Sequence, residues 1–317
     1  MGYSAAQVGH EKHRIIANKR TKHVFCGLAH RDGQGIGYDY FMLRFLPFLV
    51  VLLTVLSPVL GYARTLFIDF NNAESEIAVF KQSRKGRSTE VVVVPSYTRI
   101  SEQQRLDVLS ANIEVEKFTK KAQDCAVSGK KGASCDQNYD RIRQAELNRL
   151  AATGGYTFDD LKAELLALSD SEKDKPFDML VISGHHELGY YRGELTEAKI
   201  LQFAEVLAQT PDLFSQVNTV VLLGCGTGTK DAYVQNLVPM FPKVPLIFGA
   251  EDNAPTRDEA RNLAYIRKLV TLRPKLLMAK TAREVEPLFQ SLLAKNWPVS
   301  LLWRQNTVFF KDGAEPF

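Results

Sequence analysis

The chain has 317 residues, of which 45% are hydrophobic and 24% are charged, and its formal net charge is +4. This length and composition are enough for one large domain with a well-buried core. The positive charge is largely contributed by the residues before position 64, and no run of Lys and Arg with interleaved aromatic residues follows them, so nucleic acid is not an expected partner.

An apolar segment near the N terminus predicts a signal peptide. Residues 45–60 are almost continuously apolar; residues 42–44 (Met-Leu-Arg) precede them and residues 61–63 (Gly-Tyr-Ala) follow them. A positive residue, an apolar stretch and small residues at positions −3 and −1 are the parts of a signal peptide. Two prolines inside the run make a permanent transmembrane helix less favourable. We therefore expect cleavage after Ala63, with an uncleaved membrane anchor as the alternative.

Residues 1–41 are basic and lack apolar periodicity. Because Met42 lies where a signal peptide should begin, we interpret them as an extension upstream of the true start, with a cytoplasmic tail as the alternative. The mature protein would then comprise residues 64–317 as one domain. It would be periplasmic or secreted, and would contact a membrane only through the signal peptide or anchor.

The mature chain alternates short apolar segments with longer amphipathic ones. The predicted strands are, in chain order, residues 65–70, 90–95, 177–183, 219–224 and 245–250. The predicted helices cover residues 73–82, 101–123, 136–152, a segment beginning at Thr157, and residues 196–208, 230–240 and 257–272. Strands that read as continuous apolar runs between helices are typical of a parallel sheet covered on both faces. The sequence therefore predicts a single three-layer α/β/α domain with a mostly parallel central sheet.

Three cysteines follow residue 63. Cys125 and Cys135 flank a loop rich in Gly, Ser and Lys between two polar helical segments. In an oxidising compartment such a pair is readily bridged, so we expect a disulfide here. Cys225 is then a candidate free thiol, and a small buried apolar residue is the alternative.

Two of the predicted strands lead into segments that contain reactive side chains. The third strand leads into residues 183–187 (Ser-Gly-His-His-Glu), and the fourth leads into residues 224–228 (Gly-Cys-Gly-Thr-Gly). Only two of the six histidines follow residue 63, and both lie in the first of these segments. Ligands and chemistry collect at the carboxyl ends of strands in open α/β sheets, so His185 and Cys225 would lie close together if the two strands are neighbours. A thiol with a nearby imidazole is a sufficient nucleophile system.

These segments resemble the motifs of the caspase-like (clan CD) cysteine peptidases, and most closely those of CHAT and metacaspase-type domains. The family places a Ser-Gly-His-Gly or His-Gly motif after one apolar strand and the catalytic cysteine after a second; here these become LVISGHH (residues 180–186) and VVLLGCGTG (residues 220–228). With the opening strand TLFIDF and a Gly-Glu-Leu segment at residues 193–195, the resemblance covers most of the chain from residue 65 to 270. Together with the predicted signal peptide, it implies a caspase-like fold and an exported cysteine endopeptidase that acts on protein or peptide substrates through a thioacyl intermediate. His185 would be the general base and Cys225 the nucleophile, with no organic cofactor.

Position also suggests which groups would bind the oxyanion. Backbone N–H groups at Cys225 and His186 are expected to donate to it, and Gly184 and Gly226 keep the surroundings open. His186 departs from the family pattern, which has Gly after the catalytic His. Its N–H can still donate, but its side chain is expected to crowd the site.

Three acidic residues at strand ends, Asp69, Glu251 and Asp252, are candidates for a pocket that binds a basic P1 side chain. An ordinary solvated or helix-capping role is the alternative for each. No metal site is expected, because adjacent imidazoles on an extended strand point to opposite faces and rarely share one ion.

The segment LGCGTG also resembles the glycine-rich loop of S-adenosylmethionine-dependent methyltransferases, with Glu251 at a spacing that suits a ribose. Three features oppose this interpretation. Leu222 occupies the usual acidic position, too few residues follow Glu251 for the remaining strands of that fold, and an exported protein would lack the cofactor supply.

A third hypothesis is a caspase-like fold that has lost catalysis and serves as a binding scaffold. The presence of both a His and a Cys at the expected positions argues against it, because a decayed site commonly loses one of them. The reactivity of the Cys225 thiol toward an alkylating reagent near neutral pH would distinguish an active peptidase from an inactive scaffold.

Overall fold

A computed structural model describes residues 64–82, 89–129, 132–187, 189–254, 259–293 and 298–316, which all fall within one structural unit. The predicted signal peptide and the N-terminal extension lie outside these described residues, so both stay predictions. Within the described ranges, no helix combines the length and the apolarity that a membrane span requires.

Strands and helices alternate along the chain. The strands are β1 (Arg64–Asp69), β2 (Glu90–Val94), β3 (Met179–Ser183), β4 (His185–Glu187), β5 (Tyr190–Arg192), β6 (Glu197–Lys199), β7 (Thr219–Leu223), β8 (Leu246–Ala250), β9 (Val299–Trp303), β10 (Thr307–Phe310) and β11 (Gly313–Pro316). The helices are α1 (Glu74–Lys81), α2 (Glu102–Val127), α3 (Ala133–Ala152), α4 (Phe158–Glu172), α5 (Ile200–Gln209), α6 (Pro211–Phe214), α7 (Lys230–Ala232), a π-helical turn (Tyr233–Leu237), α8 (Val238–Met240), α9 (Ala260–Met278) and α10 (Ala282–Leu292).

The central sheet has the strand order β11-β10-β9-β8-β7-β3-β1-β2. The five strands from β8 to β2 pair in parallel, and β9, β10 and β11 extend the sheet in antiparallel pairings. A second sheet of three short antiparallel strands, β4-β5-β6, begins directly after β3. The predicted α/β class with a mostly parallel central sheet is confirmed.

Alternation along the buried strands divides the core into two layers. In β1, Leu66 and Ile68 pack into one hydrophobic cluster, and Phe67 between them packs into the other. The first cluster receives side chains from α4 and α5, and the second receives them from α1, α9 and α10. Successive residues of a strand point to opposite faces, so apolar residues at every position bury both faces of the sheet. This arrangement is the three-layer α/β/α architecture that the sequence predicts.

Two of the predicted helix starts coincide with capping boxes. Ser101 accepts a hydrogen bond from the Gln104 backbone N–H before α2, and Thr157 accepts one from the Asp160 N–H before α4. In both cases the side chain of the third helical residue accepts a hydrogen bond from the backbone N–H of the cap residue. Two backbone donors that lack a partner within the helix are thereby satisfied.

The helices α2 and α3 form an antiparallel hairpin closed at its tip by a disulfide. Cys125 near the end of α2 bonds to Cys135 in the first turn of α3, with the two Cα atoms 6.0 Å apart. The predicted pair is therefore confirmed, and Cys225 is a free cysteine.

Two regions differ from the sequence prediction. The helix expected from residue 196 begins at Ile200, because Glu197–Lys199 pair with β5 as the strand β6. The strands β9 to β11 and the helix α10 were not predicted at all. The strands β4 to β6 have three residues each, which is too short to produce a recognisable period-2 pattern.

Candidate active site

The two strand ends singled out in the sequence lie side by side. β3 and β7 are parallel neighbours whose last residues, Ser183 and Leu223, are in register. Beyond them the Gly184 N–H donates to the Leu223 carbonyl at 3.1 Å. A side chain at Gly224 would bring its Cβ within 2.6 Å of the Gly184 carbonyl oxygen, so glycine is required where the two chains separate. The segments that carry the histidines and Cys225 therefore leave the sheet at one shared edge.

Cys225 lies in a turn that is fastened to the segment after β8. Its thiol is half-buried, and its Sγ accepts a hydrogen bond from the Ala254 backbone N–H with an N–S distance of 3.4 Å. The next residue, Gly226, has φ of +62°, a left-handed conformation that glycine adopts without steric cost, and its N–H donates to the Asp252 carbonyl at 3.0 Å. These two hydrogen bonds hold the turn, and with it Sγ, against the residues after β8.

Internal packing explains the glycines of this loop. A Cβ at Gly228 would overlap Ser300 Oγ and lie 2.7 Å from the backbone carbon of Gly249. Thr227 is also buried. Its hydroxyl donates a hydrogen bond to the Gly224 carbonyl at 2.9 Å and accepts one from the Ala250 N–H at 3.1 Å. The loop thus needs small residues because it packs on β8 and β9, with no requirement for a bound ligand.

The two histidines lie on opposite faces of the β4–β5 hairpin. His185 is paired with Arg192 and has an exposed side chain, whereas His186 is paired with the buried Tyr191 and is half-buried. The His186 ring lies 5.2 Å from the Tyr191 ring between centroids, and its Nδ1 is 3.0 Å from the Cys225 carbonyl oxygen. The structure therefore brings the His186 ring into contact with the Cys225 loop, with His185 on the outer, solvent-facing side.

The contact defines the tautomer of His186. A carbonyl oxygen can only accept, so Nδ1 carries the proton and Nε2 of the neutral ring carries a lone pair. Burial lowers the pKa of His186, and the hydrogen bond to the Cys225 carbonyl opposes part of that shift. The imidazole is accordingly neutral at neutral pH.

Two of the amides expected near the oxyanion are already used inside the protein. The Gly184 N–H is bound to the Leu223 carbonyl and the Gly226 N–H to the Asp252 carbonyl. An amide that donates within the fold is not available to a substrate oxygen. Gly184 and Gly226 are therefore excluded as donors, and the donor role of Cys225 and His186 stays a prediction.

Asp69 is fully buried at the end of β1. Its carboxylate accepts a hydrogen bond from Arg105 at 2.8 Å and further bonds from the backbone N–H groups of Asn71 and Ala73. Arg105 in turn donates to the Pro95 carbonyl, so it joins the ends of β1 and β2. The Asp69 carboxylate is bound entirely within the protein, and this geometry does not present it to a substrate.

The other two acidic candidates lie at the same edge as Cys225, because β8 is the neighbour of β7. Glu251 is half-buried and accepts the Lys311 N–H at 3.3 Å, while Asp252 is exposed. Burial raises the pKa of Glu251, and the hydrogen bond from Lys311 offsets part of that effect. Both residues therefore follow the strand next to the one that leads to Cys225, and a role for them in substrate binding stays a prediction.

Sequence reasoning missed two participants in this arrangement. The Ala254 N–H, which donates to Sγ, is a backbone group of a loop and leaves no signal in the sequence. Tyr191, which contacts the His186 ring, belongs to a strand of three residues whose alternation is too short to recognise. The Ala254 contact joins segments that are far apart in the chain, whereas Tyr191 contacts His186 across a short hairpin.

The described geometry defines an α/β protein with a free cysteine at the carboxyl edge of its sheet, whose backbone carbonyl contacts an imidazole. No family model matches the chain, and no curated protein was found to be similar to it. A solved structure with some similarity is that of a secreted C11 cysteine protease from Bacteroides thetaiotaomicron, in complex with an irreversible peptide inhibitor. The identity is 11% and the TM-score 0.30, over 46% of this chain and 45% of that one. The match spans less than half of either protein and by itself assigns no activity.

Proposed function

We propose that this protein is an exported cysteine endopeptidase with a caspase-like fold, in which Cys225 is the nucleophile and His185 the general base. The observation that carries the proposal is the placement of a free, half-buried thiol beside the histidine-bearing end of the neighbouring strand. The hydrogen bond from the Ala254 N–H to Sγ supports it, because it fixes the direction of the sulfur. The Cys125–Cys135 disulfide is in keeping with export to an oxidising compartment.

The reaction would proceed in two stages. His185 removes the Cys225 proton, and the thiolate attacks the scissile carbonyl carbon to form a tetrahedral oxyanion held by the N–H groups of Cys225 and His186. The intermediate collapses, the C–N bond breaks, and the protonated His185 gives its proton to the leaving amine. Water, with His185 again as base, then hydrolyses the thioester and restores the free thiol.

The acidic residues after β8 suggest the substrate preference. Glu251 and Asp252 follow the strand next to the one that leads to Cys225, so a substrate side chain directed toward β8 meets negative charge. We propose that the enzyme prefers Arg or Lys at P1. Asp69 is not part of this pocket, because its carboxylate is paired with Arg105.

The test is hydrolysis of fluorogenic peptides with Arg, Lys, Asp or Asn at P1 by the purified, disulfide-intact protein. We expect turnover of the Arg and Lys peptides, lost in both Cys225→Ala and His185→Ala, since each removes a reacting group. Lys199→Ala is the matched control, because Lys199 is also exposed on the outer face of the β4-β5-β6 sheet and has no part in the mechanism. Turnover that survives in Cys225→Ala would refute the mechanism.

A binding scaffold without catalysis is the second candidate. The observation that favours it is the His186 side chain, which occupies space beside Cys225 where the resembling family has glycine. A wild-type protein that cleaves none of the peptides, and whose Cys225 reacts with iodoacetamide no faster than free cysteine, would support this candidate.

S-adenosylmethionine binding is not proposed. Its sequence signal was the glycine-rich loop, and two glycines of that loop are required by contacts with Gly184, Gly249 and Ser300.

A further inference from the structure

The peptide group between Cys225 and Gly226 is held from both sides. Its carbonyl oxygen, which belongs to Cys225, lies 3.0 Å from His186 Nδ1. Its N–H, which belongs to Gly226, donates to the Asp252 carbonyl at 3.0 Å. One peptide plane is therefore clamped between the β4–β5 hairpin and the segment after β8.

We propose that His186 is a positioning residue that holds the nucleophile loop through this peptide group, so that Cys225 Sγ stays against the Ala254 N–H. The inference rests on the proposed peptidase function and assigns a role to the side chain that departs from the resembling family. His186 acts through the Cys225 backbone and does not itself exchange a proton with the substrate.

The conformational freedom of Gly226 explains why the peptide group before it has to be held in place. Gly226 has φ of +62°, and glycine occupies negative φ about as readily, so the preceding peptide group can turn over with little steric resistance. Such a rotation would reverse the directions of the Cys225 carbonyl and the Gly226 N–H, and would change ψ of Cys225 itself. The hydrogen bonds to His186 and Asp252 both oppose it.

The hydrogen bond from the Gly226 N–H to Asp252 also fastens the segment that carries Ala254. Rotation of the peptide group would break this bond and release the residues after β8, and with them the Ala254 N–H, which meets Sγ at 3.4 Å. Loss of the clamp is therefore expected to reduce the reactivity of the thiol as well as the alignment of the attack.

The His186 ring is well suited to this role because its own position is restricted. It packs beside Tyr191, whose side chain is 4% exposed, and its Cβ is among the atoms nearest to Gly224. Burial keeps the ring neutral at neutral pH, and the neutral tautomer with a proton on Nδ1 is sufficient for the bond.

The experiment compares two amide substitutions. In His186→Asn the side-chain NH2 lies close to the position of Nδ1 and can reach the Cys225 carbonyl, whereas in His186→Gln it lies one bond farther out, near Nε2. Tyr191→Phe is the packing control, because it keeps the ring beside His186 and removes a hydroxyl for which the described residues supply no hydrogen-bond partner. For each variant, kcat, KM, the rate of Cys225 alkylation by iodoacetamide and the thermal unfolding temperature are measured.

We expect His186→Gln to lower kcat about tenfold with KM little changed, because the lost hydrogen bond costs alignment of the nucleophile and leaves peptide binding intact. The alkylation rate should fall by a comparable factor. His186→Asn should recover most of both losses, and Tyr191→Phe should match the wild type. Unfolding temperatures that are alike in the two amide variants would exclude a general loss of stability.

Two results would overturn the inference. If His186→Gln equals the wild type in turnover and alkylation, the clamp has no role; if His186→Asn is as inactive as His185→Ala, the ring of His186 acts as the base. Failure of the proposed function is a separate outcome, seen as no turnover by the wild type. In that case the alkylation rates still test the clamp, because they require only the thiol.

Discussion

Neighbouring histidines experience different surroundings because they alternate across a strand. His185 is exposed on the outer face of the hairpin, and His186 is half-buried against Tyr191 and the Cys225 carbonyl. Two imidazoles that are adjacent in sequence thus differ in exposure and in the groups they contact, and they can carry different roles. A general base needs access to a substrate, whereas a positioning residue needs a restricted ring.

The burial of His186 predicts a pH dependence of stability. Its pKa is lowered in the folded protein, so the unfolded chain, with an ordinary imidazole pKa of about 6.5, takes up the proton first as the pH falls. The free energy of unfolding should therefore decrease as the pH drops below about 6.5, down to the folded-state pKa. Urea denaturation at several pH values between 5 and 7.5 measures it. His186→Asn removes the titrating group, and an identical slope in this variant would contradict the prediction.

Gly228 provides a test of why the loop is rich in glycine. In Gly228→Ala the added Cβ would overlap Ser300 Oγ and press on the Gly249 backbone, so we expect a loss of about 1–3 kcal/mol in the free energy of unfolding. Leu201→Ala, at a side chain that is 74% exposed, is the surface control and should change little. Chemical denaturation compares them. A Gly228→Ala protein as stable as the wild type would show that packing does not require the glycine. Ligand binding would then again be a hypothesis for why the loop is rich in glycine.

At the scale of elements, the site depends on how the short hairpin of β4 and β5 follows β3. Gly184 ends the sheet pairing with β7, and the chain then turns directly into β4. A Cβ at Gly193, beyond the end of β5, would overlap the Phe70 carbonyl, so the hairpin packs against the end of β1. Both strands of the hairpin are therefore held at its open end, and the hairpin delivers the His186 ring to the Cys225 loop as one unit.

The disulfide at the tip of the α2–α3 hairpin is expected to stabilise the protein. Cys125 and Cys135 are separated by 10 positions, and the loss of a bond that closes so short a loop should cost roughly 2–3 kcal/mol of the free energy of unfolding. The double variant Cys125→Ala, Cys135→Ala should therefore unfold at lower urea concentration. Reduced wild-type protein should behave like the variant. Equal midpoints for the oxidised wild type and the variant would contradict the prediction.

At the scale of the whole molecule, the sheet order decides where chemistry can occur. β3, β7 and β8 are consecutive in the sheet, so their carboxyl ends bring residues from three distant parts of the chain to one edge. His186, Cys225 and the Ala254 N–H come from these three ends. The parallel arrangement is what places them together, since antiparallel neighbours would send alternate ends to opposite edges.

The local chemistry of the sequence was enough to predict most of the framework. Continuous apolar runs predicted β1, β2, β3, β7 and β8, because a parallel sheet buried on both faces requires them. Ser101 and Thr157 marked the starts of two helices, because capping depends on residues within one turn. The disulfide was also predicted, because its two cysteines border a single short loop.

Only the tertiary structure decided the contacts that define the site. The pairing of β3 with β7, the contact between His186 and the Cys225 carbonyl, and the N–H directed at Sγ each join segments far apart in the chain. The ion pair of Asp69 with Arg105 is of the same kind, and it gives a buried role to a residue expected in a pocket. A sequence records the propensities of neighbouring residues, whereas these contacts depend on strand order and on which face of a short hairpin turns inward.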